Sequence, residues 1–190
     1  MPRPSRKQQI VDAALAEFAA RGFAATTVRD VARRAGLSEA ALYRHYPSLN
    51  DLGREFWTAS FTGYSDRLAA VVGPDAIASL SAIVRETFAA YREHPDAFLF
   101  ALQLLPQFIG ELPTGFAFPL ERIEAVIRAG QAVGTVRSGQ TNVLAAMFLG
   151  AVLRPIELTS FAAPGALELL HDTSNDRLIE RAALAVLAAA

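Results

Sequence analysis

Residues 26–46 read TTVRDVARRAGLSEAALYRHY. Thr27-Val28-Arg29-Asp30 has the form of a capping box, in which Thr27 accepts from a free amide of the first turn and Asp30 reaches back to the cap. Val28, Val31, Ala32 and Ala35 then recur at helical spacing, and Arg29, Arg33 and Arg34 lie off that apolar face. Gly36 ends the helix, because glycine takes the left-handed conformation without a Cβ clash. Ser38 is a good N-cap for a second helix beginning at Glu39, and Pro47 stops it. Two short helices about a tight turn, the second polar outside and basic and aromatic at its end, have the layout of a helix-turn-helix. Such a unit places its second helix in the DNA major groove.

The second helix carries side chains suited to that task. Leu37 and Leu42 anchor the unit to a core. Ala40 and Ala41 are small enough to let the backbone approach base edges or thymine methyls. Tyr43 and Tyr46 have hydroxyls for phosphate oxygens, and Arg44 and His45 reach base edges or backbone. Ser48-Leu49-Asn50-Asp51 reads as a capping box for the next helix. Plainer readings stand beside these: a solvated basic helix, and a structural cluster of two tyrosines around Arg44-His45.

Length and composition narrow the classes. The chain has 190 residues, 52% hydrophobic and 19% charged, enough for a well-buried core. It has no cysteine, which excludes disulfides and cysteine-based zinc sites. No run approaches the roughly 18 consecutive apolar residues of a membrane span, and the first residues lack the apolar stretch of a signal peptide. A cytoplasmic protein is expected. The net charge of −1 is uneven: residues 1–50 hold eight Arg/Lys against four Asp/Glu, and residues 51–190 hold ten against fifteen. A basic head on an acidic body suits a protein that presents one end to a polyanion, with weak, salt-sensitive nonspecific affinity.

The rest of the chain reads as helical, with nothing alternating at period two for long enough to argue a sheet. A first helix opens at Ser5 and ends at Arg21-Gly22, with Ile10, Val11, Ala14, Leu15 and Phe18 inward. Further helices are expected over about 48–72, 75–93, 96–110, 117–133, 141–161 and 174–189. Gly73-Pro74, His94-Pro95, Pro113 to Gly115, Gly134 and Ala163-Pro164-Gly165 are the breaks. The fold class is therefore all-α: an N-terminal three-helix head over residues 1–47 and a helical body over 48–190.

The head resembles the TetR family of bacterial repressors. The family's F-x-x-x-G appears as Phe18 to Gly22. Its T-x-x-x-I-A-x-x-A-G-V-S appears as Thr27, Val31-Ala32 and Ala35-Gly36-Leu37-Ser38, and its L-Y-x-H-F as Leu42 to Tyr46. A weaker echo of a late G-x-x-x-G segment is Gly130 to Gly134. The resemblance implies a homodimer with its two heads in successive major grooves. It assigns phosphate contacts to Thr27, Ser38, Tyr43 and Tyr46, and base or mixed contacts to Arg29, Glu39, Ala40, Ala41, Arg44 and His45. Many members have lysine at the start of the fourth helix, where this chain has Leu49, so one phosphate contact is lost.

The body is expected to bind a small hydrophobic ligand and to dimerise. Trp57, Phe61, Tyr64, Phe88, Tyr91 and Phe98, with Gln103 and Gln107 as orienting groups, are the candidate pocket residues. Such aromatic stripes are also ordinary core, and the two glutamines also fit a solvent-facing surface. Leu144, Met147, Phe148, Ala151 and Leu158, with Leu178, Ala182 and Ala185, are the candidate dimer face; the same stripes would also pack inside one subunit. The mechanism implied is repression at a palindromic operator, released when ligand shifts the heads off the spacing of half-sites roughly 34–36 Å apart. Control by a protein partner, or no ligand at all, is the alternative. His45, His94 and His171 have no partner at metal or triad spacing, so no catalytic residue, metal or cofactor is expected.

Overall fold

Ser5 caps the first helix, its Oγ accepting from Gln8 N at 3.1 Å. Helix α1 spans Arg6–Arg21 and ends at Gly22, whose amide donates to Phe18 O at 2.8 Å. There follow α2 Val28–Ala35, α3 Glu39–Tyr43, α4 Leu49–Ala70, α5 Ala76–Glu93, α6 Pro95–Gln103 and α7 Leu105–Phe108. A 3-10 turn, Ile109–Glu111, precedes α8 Pro119–Ala132, α9 Thr141–Leu158 and α10 Ser174–Ala185. The computed structural model describes residues 5–112, 115, 116, 118–159, 170 and 173–189, and no strand occurs among them. The break at Ala163-Pro164-Gly165, the end of the expected 141–161 helix, and His171 lie outside the described residues.

The expected helix over 96–110 is instead two helices broken at Leu104. Pro106 has no amide to donate back to Leu102, and its ring clashes with that carbonyl, so the chain turns and restarts. His94 is the N-cap residue of α6 and makes no side-chain cap bond.

The chain divides into two compact units. The first comprises Met1–Thr62 and His94–Leu112, the second Gly63–Glu93 and Pro113–Ala190. The first unit is built on aromatic contacts that local sequence periodicity does not reveal. Phe18 stacks on Phe100 with ring centroids 4.9 Å apart, and Phe23 meets Phe18 edge-on at 5.0 Å. Gly53 leaves room for Phe23, since a Cβ there would lie 2.6 Å from that ring. Trp57 is fully buried, stacks on Phe61 at 5.1 Å, and touches Phe108. Hence 94–112 packs with the head because its phenylalanines complete the head's core.

The second unit packs α5, α8, α9 and α10 over Leu68, Leu80, Ile83, Val84, Phe88, Ile123, Ile127, Phe148 and Ile156. Gly130 in α8 sits where a Cβ would come within 2.4 Å of Val136 and 2.8 Å of Ala76. That close approach is a packing reason for the first glycine of the Gly130–Gly134 segment. An isolated antiparallel bridge, Val136 to Ala188, ties the turn after α8 to the chain after α10. Salt bridges join α5 to α10: Arg92 meets Asp176 with both guanidinium nitrogens (2.8 and 2.6 Å), and Arg85 meets Glu180 at 3.0 Å.

Helix α9 is, among the described residues, the helix long and apolar enough to cross a membrane by length and composition. Its apolar run is interrupted by Arg154 and Glu157, which pair with each other at 3.1 Å, and it buries Leu144, Ala145, Phe148, Val152 and Ile156 within the second unit. A core helix of this kind passes the same compositional test.

Candidate nucleic-acid interface

The helix-turn-helix is built as its sequence implies. Thr27 Oγ1 accepts from Asp30 N at 3.2 Å, and Thr27 N donates back to Asp30 Oδ2 at 3.1 Å. The hydroxyl and amide of Thr27 hold the Asp30 carboxyl below the ordinary carboxylate range. Because that pKa is lowered, the ionised cap is complete above the ordinary value of about 4 and is lost as pH falls through Asp30's own value. Gly36 has φ 66°, and its amide donates to the end of α2. Ser38 Oγ then accepts from Ala41 N at 3.2 Å and starts α3. Val31, Ala32 and Leu42 are buried and fix the two helices to the core.

This arrangement turns one set of side chains outward. Thr27, Arg29, Ser38, Glu39, Ala40, Tyr43, Arg44 and His45 are exposed and Ala41 is half-buried. Tyr43 keeps 50% of its surface open. Tyr46 is different. It is only 2% exposed, and its hydroxyl is buried without a hydrogen-bond partner. Burial pushes that hydroxyl's pKa up, and Lys7 lies 5.8 Å from the ring centroid while pairing with Glu55. The expected phosphate contact from Tyr46 is therefore corrected: its ring belongs to the core, four positions after the inward Leu42. Ser48 Oγ accepts from Asp51 N at 3.1 Å and opens α4, with the half-buried Leu49 at its first position.

The arginines of the head are not equivalent. Arg34 Nε donates to Glu17 Oε1 at 2.8 Å, and Arg21 Nε lies 3.2 Å from Glu17 Oε2. Arg33 donates to Asp30 Oδ1 at 2.8 Å, with Arg21 Nη1 3.5 Å from the same oxygen. Arg29 and Arg44 make no ion pair among the described residues. Glu17 escaped the sequence reading. Its i, i+4 spacing to Arg21 was visible, but its burial and its reach to Arg34 depend on how α1 crosses α2.

The candidate pocket residues are divided between the two units. In the first, Trp57, Phe61 and Phe98 are buried, with Trp57 Nε1 donating to Ala101 O at 2.9 Å. Gln103 and Gln107 are exposed, and Gln107 donates to Asn50 Oδ1 at 3.0 Å. Both are surface groups in this structure. In the second unit, Tyr64 shares a 2.8 Å hydrogen bond with Thr87, and burial pushes the Tyr64 hydroxyl up to about 12. Tyr91 shares one of 2.9 Å with Thr159, and Arg92 lies over the ring of the buried Phe88.

The candidate dimer residues also separate. On α9, Leu144 and Phe148 point into their own subunit and are buried, which corrects their assignment to an outer face. Ala151 and Leu158 are half-buried. Met147 is 53% exposed and continues outward with Val143, Ala146 and Gly150, at helical spacing. On α10, Leu178 is 57% exposed, and Ala182 and Ala185 are exposed along the same face.

Residues 10–55 match the family model described as bacterial regulatory proteins, tetR family. The chain is 34% identical over 94 residues to the HTH-type transcriptional repressor KstR2 of Mycobacterium tuberculosis, covering 47% of this chain and 46% of that one. It is 35% identical over 92 residues to KstR2 of Rhodococcus jostii, covering 46% and 44%. The match thus spans about half the length of these curated relatives. A crystal structure of a bacterial regulatory protein in the tetR family from Rhodococcus RHA1 superposes with a TM-score of 0.75 at 18% identity, covering 98% of this chain and 99% of that one. At that identity the likeness shows the fold alone.

Proposed function

We propose that this chain, whose residues 10–55 match the model of the tetR family of bacterial regulatory proteins, is a DNA-binding transcriptional repressor. It acts as a homodimer in the cytoplasm, with residues 1–47 reading a palindromic operator and residues 48–190 binding ligand and dimerising. The observation that carries this reading is the outward set on α2 and α3. Arg29, Tyr43, Arg44 and His45 stand exposed on a capped helix-turn-helix whose inward residues are buried, and both arginines lack an acidic partner among the described residues. Unpaired guanidiniums beside small alanines suit guanine and phosphate recognition.

Release by a small hydrophobic molecule is the second element of the proposal. It is supported by the second unit's group of Tyr64, Phe88 and Tyr91, with Thr87, Arg92 and Thr159 supplying polar atoms among aromatic rings. A thermal-shift screen of hydrophobic compounds checks it, since a ligand at about 100 times its Kd stabilises the folded state by about 2.7 kcal/mol. The alternative, a DNA-binding dimer governed by a protein partner or by no ligand, predicts no shift with any compound. Dimerisation is assigned to the outward faces of α9 and α10.

Selection of bound duplexes from a random pool at about physiological salt tests the central claim. An enriched near-palindrome is expected, and no enrichment would sink it. On the enriched site, Arg44→Ala is expected to weaken binding by about 1–3 kcal/mol and relax preference at particular bases. Tyr43→Phe is expected to weaken all sequences alike. Equal effects of the two variants on every sequence would refute this division of roles.

A further inference from the structure

We propose that Glu17 and Asp30 set the sequence discrimination of the head by tying three of its arginines internally, leaving Arg29 and Arg44 to meet the duplex. The proposal rests on the DNA-binding reading above and deepens it. Glu17 is a carboxylate only 5% exposed, on a helix face otherwise lined by Ile10, Ala13, Ala14 and Phe18. A buried carboxylate needs partners, and it takes Arg34 from α2 at 2.8 Å and Arg21 from its own helix at 3.2 Å. Asp30 holds Arg33 at 2.8 Å and the second arm of Arg21 at 3.5 Å, while its other oxygen completes the α2 cap. Two acids and three arginines thus form one cluster with a single net positive charge.

The consequence is a division of charge within one small surface. Phosphate attraction is blind to sequence and grows with each cation that displaces a counterion. Arg21, Arg29, Arg33, Arg34 and Arg44, if all were unpaired, would hold any duplex. With three of them turned onto carboxylates, nonspecific attraction falls, while Arg29 and Arg44 keep their reach. Discrimination is a difference between specific and nonspecific affinity, so lowering the second raises it without any new base contact. Glu17 and Asp30 are positioning residues in this account: they act through the arginines they hold.

The experiment measures binding of the full-length protein to its selected duplex and to a random-sequence duplex, from about 50 to 200 mM salt. Arg29→Gln is expected to flatten the salt slope for both duplexes by about 0.9 per head, whereas Arg34→Gln, whose guanidinium is held by Glu17, flattens both by less. Glu17→Gln is expected to steepen the slope by about 0.9 for each arginine released and to raise random-duplex affinity roughly three- to tenfold at about 0.1 M salt. The ratio of specific to random affinity then falls. A slope that drops equally for Arg34→Gln and Arg29→Gln overturns the proposal, and this comparison does not depend on whether Glu17→Gln folds. Unchanged random-duplex affinity in a folded Glu17→Gln protein also overturns it, leaving Glu17 as a structural tie. Binding of neither duplex by the unmodified protein overturns the DNA-binding reading itself, and this inference with it.

Discussion

Truncating Trp57 to alanine is expected to cost about 3–5 kcal/mol of unfolding free energy, a large share of the roughly 5–15 kcal/mol available to a domain. Trp57 is fully buried, stacked on Phe61 and against Phe108. It also satisfies a carbonyl that the backbone leaves open. Helix α6 ends at Gln103, so its last carbonyls have no partner further along the helix. The Trp57 indole donates to one of them, Ala101 O, at 2.9 Å. Trp57→Phe keeps an aromatic ring but removes the donor, and is expected to cost about 1–3 kcal/mol, the price of an unsatisfied buried acceptor. Trp57 is the chain's single tryptophan, so urea unfolding must be followed by circular dichroism. A loss below about 0.5 kcal/mol for Trp57→Ala, as at a surface site, would mean that the residue lines open space and is not core.

The second large effect separates the two faces of α9. Phe148→Ala is expected to cost about 3–5 kcal/mol of folding free energy, because Phe148 is fully buried inside its own subunit. Met147→Lys, one residue away, is expected to change folding by no more than about 0.5 kcal/mol. It should instead convert the dimer to monomer by sedimentation at micromolar concentration, since a lysine would be buried unpaired in the proposed interface. The opposite pattern, with Phe148→Ala dissociating a dimer of unchanged stability, would return Phe148 to the interface and refute the outward assignment of Met147.

The head was the most legible part of the chain because its signals are local. A capping box at Thr27, a left-handed glycine at Gly36 and a serine cap at Ser38 each act within four residues, and each is found where the sequence places it. The exposed set on α2 and α3 follows from the same short-range periodicity. Tyr46 did not, although it stands beside two exposed residues. Whether a side chain at a helix end faces solvent or core depends on what packs there, and here the core takes it. For α9, an almost wholly apolar sequence gave no contrast from which to read a face. Only packing in the second unit separates Leu144 and Phe148 from Val143 and Met147.

The sequence by itself determined the all-α class, the helix-turn-helix and its caps, and the basic head, because these rest on local backbone preferences and charge. Tertiary structure decided which arginines remain unpaired, where Trp57 and Tyr46 lie, and that residues 94–112 join the head's core. Those outcomes depend on contacts between residues far apart in the chain: Glu17 with Arg34, Trp57 with Ala101, Phe18 with Phe100. A local pattern of one residue type cannot specify its distant partner, since many pairings satisfy the same burial and charge requirements until the helices are packed.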